Sequence, residues 1–154
     1  MKKSTIKLII FIFCFLGSGL KYHCQKTKNI SLINSTFLGG EGRNYYGNIA
    51  PDSLNKIWKY YLGKGKTTIS RNLGERVWAG AGWTGQPLLI QEDDTLYIIQ
   101  GCYDHHLKKI NAETGKLVWE YKFDDVVKGT GTIWHYKNAP NLEQSFIIFQ
   151  GSRL

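Results

Sequence analysis

The chain has little that would tie a small fold together covalently. Its three cysteines stand at 14, 24 and 102, without a repeated spacing that would mark a disulfide scaffold. No CxxC or HxxxH spacing occurs, which removes the usual signatures of a structural zinc site. Only three prolines interrupt 154 residues, and 42% hydrophobic with 14% aromatic content excludes a disordered chain in favour of one folded, β-rich domain. Acidic residues are missing altogether before residue 29, whereas Lys2, Lys3, Lys7, Lys21, Lys26 and Lys28 fall there. Setting aside those six of the 20 basic residues leaves 14 against 12 acidic ones, so the formal charge of +8 falls to +2 and no basic stripe remains for nucleic acid.

The early lysines belong to a different layout. Lys2, Lys3 and Lys7 precede the apolar run Leu8 to Leu16, which is short for a bilayer core of about 30 Å and is followed by Gly17, Ser18 and Gly19. This is the pattern of a bacterial-type export signal over residues 1–24, with cleavage expected between Gly19 and Gln25. Two other readings stay open: acylation at Cys24, against which the bulky neighbours Lys21, Tyr22 and His23 count, and an uncleaved membrane anchor.

Residues 25–53, rich in Ser, Asn and Gly around "FLGGEGRNYYGN", are expected to form an extended lead-in. "LNKIWKYYL" (Leu54 to Leu62) alternates Ile57, Lys59 and Tyr61 against Trp58, Tyr60 and Leu62, the period of a strand. A long glycine-punctuated connection is expected from 63 to 85. Four strand-like runs follow, at 86–91, 95–100, 105–111 and 116–123, joined by three or four polar or glycine-bearing residues. Connections that short permit only antiparallel pairing, so the expectation is a four-stranded meander.

The meander recurs. "LYIIQGC" at 96 aligns with "FIIFQGS" at 146, matching Gln100 with Gln150, and "NKIWKYYLGKG" at 55 resembles "GKLVWEYKFDD" at 115, matching Trp58 with Trp119. Four short strands per unit at such a period indicate propeller blades. Residues 54–154 then read as one closing strand, one full blade and the first two strands of another (about 130–137 and 145–150). The expectation is the opening part of a longer propeller, with unpaired strand edges at both ends.

"NAETGKLVWEYKF" (111–123) resembles the repeat of the pyrroloquinoline-quinone-type (PQQ-like) β-propellers, whose blade motif runs Ala-x-Asp-x-x-Thr-Gly-Lys-x-x-Trp. Thr114, Gly115, Lys116 and Trp119 match it, Asn111 stands for the Asp and Lys109 for the Ala. A glycine with positive φ ends the turn, Asn111 and Thr114 hydrogen-bond nearby backbone, and Trp119 fills the wedge between blades, so these are structural duties. The resemblance implies an all-β ring of blades. It also implies two roles: a non-catalytic, exported interaction scaffold with a protein partner in the cell envelope, or the N-terminal part of a quinoprotein dehydrogenase whose active site lies further along. The quinoproteins' vicinal cysteine pair is absent here, so no catalytic residue, cofactor or metal is assigned.

Two clusters hold candidate chemistry. Cys102, Asp104, His105 and His106 lie together in "GCYDHHLKK", but adjacent strand residues point to opposite faces, which favours a solvated turn over a metal site. His135, between Trp134 and Tyr136, reads as a packed or edge histidine. "WAGAGWTGQP" supplies the ligand-contact candidates, Trp78 and Trp83, on a glycine-rich stretch that lets backbone approach closely. A surface ligand-binding or carbohydrate-binding propeller is the third reading, resting on those two tryptophans.

Overall fold

The computed structural model describes residues 29–44 and 51–153, and the expected export segment lies outside them. The fold is all-β, with three antiparallel sheets, none of which closes on itself. Strands β1 (Ile30–Asn34), β4 (Leu88–Glu92), β5 (Thr95–Gly101), β6 (His106–Asn111) and β7 (Leu117–Lys122) form one sheet in the order β1-β4-β5-β6-β7. Two hairpins accompany it, β2 (Lys64–Ser70) with β3 (Gly74–Ala79), and β8 (Thr132–His135) with β9 (Phe146–Phe149).

The expected meander is present, strand for strand, because each connecting turn is too short for anything else. Register follows from alternation. Leu88 pairs with Ile99 and Ile90 with Tyr97, so one face of β4 and β5 collects the apolar side chains. Leu88, Ile90, Ile99 and Leu107 are buried there together with Ile133 of β8, and Trp119, Phe123, Phe146 and Ile148 pack around them. The second hairpin is thus the lid of this core. It is pinned through its backbone, since the Ile133 amide donates to the Ser35 carbonyl at 2.7 Å and the hydroxyls of Thr36 and Thr132 lie 2.8 Å apart. A lysine also crosses the core face: Lys109, 7% exposed, donates to Glu92 at 2.5 Å with its ammonium 4.2 Å from the Tyr97 ring centre. Burial without such partners would be costly for an ammonium.

Three expectations are corrected. Residues 54–62 form no strand: Leu54, Ile57 and Tyr61 are 91%, 82% and 71% exposed, and no neighbouring strand offers a ladder. Their alternation turns Trp58, Tyr60 and Leu62 to a half-buried face without a strand partner. The lead-in contains β1, whose Ile30 and Leu32 pack on the core while its backbone pairs with β4. The supposed connection 63–85 contains the β2–β3 hairpin, with β-branched Thr67, Thr68 and Ile69 in β2 and a turn closed by Gly74 at φ +62°. The Ser70 hydroxyl accepts the Leu73 amide within that turn.

The first hairpin is seated on the main sheet by polar contacts. Tyr103 donates to the Gly80 carbonyl, and the Thr67 hydroxyl donates to buried Asp125 at 3.0 Å. Leu88, 1% exposed at the centre of the larger core, marks where that core is least able to collapse around a void. Leu88→Ala is therefore expected to destabilise the fold by about 3 kcal/mol in urea unfolding with an unchanged m-value.

Candidate functional site

The motif residues Asn111, Thr114, Gly115, Lys116 and Trp119 converge on the β6–β7 turn. The Asn111 carboxamide oxygen accepts the amides of Glu113 (3.0 Å) and Thr114 (2.8 Å), its carbonyl accepts the Gly115 amide at 2.9 Å, and its own amide donates to the Lys116 carbonyl at 2.9 Å. An asparagine does here what an aspartate would, because only the side-chain oxygen is used. The Thr114 hydroxyl accepts the Lys116 amide. Gly115, at φ +70°, is required twice over, since a Cβ would also stand 2.7 Å from Cδ2 of the Trp58 ring. The Trp58 indole lies on this glycine and donates its N–H to the Ala112 carbonyl at 2.7 Å. Trp119 is half-buried at the margin of the core.

The aligned repeats have equivalent hydrogen bonds. Gln100 donates its carboxamide to the Gly101 carbonyl at 2.9 Å, and Gln150 donates to the Gly151 carbonyl at 3.1 Å. Gln100 lies near the end of β5 and Gln150 just after β9, each the second strand of a hairpin.

The ligand-contact candidates Trp78 and Trp83 line one open cleft of about 440 Å³, together with Val77, Ala79, Tyr103 and Lys128. Trp78 is half-buried, with its ring centre 5.1 Å from that of Tyr103 and two cations over it, Lys128 at 5.3 Å and Arg153 at 5.2 Å. Trp83 is 89% exposed. Gly80 and Gly82 lie between them in the chain. The contributions of Tyr103, Lys128 and Arg153 were not legible there, since they arrive from three separate segments.

The "GCYDHH" stretch is not the solvated turn expected. Cys102 and Tyr103 are buried beneath the β2–β3 hairpin, His105 adopts φ +70° with its ring Nε2 2.9 Å from the Lys66 carbonyl, and His106 is half-buried with its Nδ1 2.8 Å from the Asp104 carbonyl. Sequence reasoning missed the ion network below it. Lys108, only 4% exposed, lies 2.7 Å from both Asp104 and Glu120. Burial opposes its charge, but hydrogen bonds to the two carboxylates outweigh that and lift its pKa to about 12. Glu120 is held below the usual carboxylate range by the same lysine. Burial, aided by the charge of Asp104, pushes the Cys102 thiol up to about 12, the opposite of what a nucleophile requires. Cys24 lies outside the described residues, among which no group of metal-binding side chains occurs. His135 is an edge residue stacked on Phe146, ring centres 4.6 Å apart.

No family model, curated protein or solved structure matches this chain.

Two outcomes are expected. Trp58→Ala should cost about 2 to 4 kcal/mol by chemical denaturation, and Gly115→Ala should cost less in a Trp58→Ala background than in the wild type, because the clash partner is gone. A double-mutant cycle with additive costs would contradict the docking geometry. The second concerns pH. Cys102 and Lys108 both have folded pKa values raised above their ordinary values of 9.0 and 10.5, so their contributions are complete below those values and are lost as pH climbs towards about 12. Thermal melts should therefore fall steeply above pH 9, and Cys102→Ala should soften the early part of that fall.

Proposed function

We propose that this chain is an exported PQQ-like β-propeller repeat protein acting as a non-catalytic interaction scaffold with a protein partner in the cell envelope. The observation that carries the reading is the Trp58–Gly115 contact, in which a tryptophan from one motif copy lies on the Thr-Gly turn of the next. That arrangement suits a family whose blades are joined by tryptophans docked between neighbours. The matching Gln100 and Gln150 hydrogen bonds support a repeated unit, and the lysine-led apolar run at 2–16 supports export.

The side chains support binding rather than turnover. The buried Cys102 thiol is pushed away from reactivity, buried Lys108 is paired with two carboxylates, and the histidines at 105 and 106 are engaged by backbone carbonyls. The cleft offers aromatic surface from Trp78, Trp83 and Tyr103 beside Lys128.

The test has two arms. In-cell cross-linking is expected to hold the protein in a defined envelope complex, with a mature N-terminus between about residues 20 and 26. Quinone-dependent dye reduction by the purified protein supplied with pyrroloquinoline quinone and calcium would overturn the scaffold reading in favour of a dehydrogenase.

A further inference from the structure

Trp83 stands out on this surface. Leaving a tryptophan 89% exposed forgoes the burial that normally makes this residue stabilising. Its turn is locked. The Gly85 amide donates to the Gly82 carbonyl at 2.9 Å, and both glycines abut the Lys128 carbonyl so closely that a Cβ on Gly85 would come to 2.6 Å from it and one on Gly82 closer still. The Gln86 amide, just beyond, donates to the Thr130 hydroxyl at 2.7 Å. A turn fixed in this way has already lost the backbone freedom that binding through Trp83 would otherwise cost.

The surroundings have one sign of charge. None of the residues lining the cleft is acidic; Lys128 lines it, Arg153 lies over the Trp78 ring while donating to the Ile69 carbonyl at 2.7 Å, and neither cation forms an ion pair among the described residues. The acids on the adjoining segment are engaged elsewhere: Asp125 is buried against the Thr67 hydroxyl and the Val126 amide, and Asp124 accepts the Ser152 hydroxyl. Exposed Trp, half-buried Trp, Tyr and Arg beside one another is the composition of a protein-binding hot spot, and complementary charge selects the partner.

We propose that this face is a docking site for an acidic, aromatic-bearing segment of a partner protein, anchored on Trp83 and read by Lys128 and Arg153. The inference rests on the scaffold reading and narrows it to one surface and one chemistry.

A capped peptide Asp-Glu-Phe-Asp-Glu, titrated into the full chain by calorimetry and by NMR of the indole N–H signals, is the direct probe. Binding is expected to shift the Trp83 indole, to weaken as salt rises, and to be lost when the acids are replaced by serine. Trp83→Ala, at an exposed position that leaves the fold intact by circular dichroism, should weaken binding about tenfold. Lys128→Gln should weaken it less and flatten the salt dependence. Equal binding of the serine peptide, or unchanged binding by Trp83→Ala, would overturn the proposal. So would saturation of Trp83 by an oligogalacturonate that the acidic peptide cannot displace, which would make the face a glycan site. The two readings fail separately. An envelope complex that survives Trp83→Ala removes this docking site alone, and peptide binding at Trp83 without any envelope complex removes the scaffold role alone.

Discussion

The Trp58 indole resting on Gly115 is the contact on which the arrangement of this chain depends. The segment that carries it has no ladder of its own and leaves three large apolar side chains in solvent. The Trp58 ring and its hydrogen bond, with half-buried Tyr60 and Leu62, position the segment between residue 54 and the first hairpin. The Asn111 turn makes the receiving surface, and the absence of a Cβ at Gly115 sets how near the ring can come. From this anchor the chain enters β2 on the correct side of the main sheet, and the β2–β3 hairpin covers Cys102 and Tyr103.

That seating also creates the surface chemistry. With Tyr103 buried beneath the hairpin, Trp78 of β3 reaches its ring, and the segment carrying Lys128 passes over the Gly82–Gly85 turn. The cleft is a by-product of how two sheets are joined, a common location for binding sites. The ion network of Asp104, Lys108 and Glu120 stiffens the opposite side of the same turn.

What the sequence made legible follows a physical line. Strands separated by three or four residues can only pair with their neighbours, so β4 to β7 were readable, as were the duties of Asn111 and Gly115, which act within a few residues of themselves. The β2–β3 hairpin was misread because its glycines outweighed the β-branched run of Thr67, Thr68 and Ile69, although the Ser70–Gly74 turn was a local signal. Residues 54–62 were misread for the reverse reason: alternation marks a strand only when a partner edge is available, and that is a tertiary fact. Trp78 and Trp83 could be found together because they sit five residues apart, whereas Lys128 and Arg153 could not.

β1 lends the molecule an order of events. Its five residues close the edge of a strand whose matching positions run from Leu89 to Glu92, so during synthesis it leaves the ribosome long before its mate exists. The meander can zip locally as it emerges, while β1 must wait through some sixty residues of chain and then bridge a large loop, the slow kind of closure. In that interval Ile30 and Leu32 are uncovered, and a nascent chain of this protein has most need of a chaperone just before Glu92 appears.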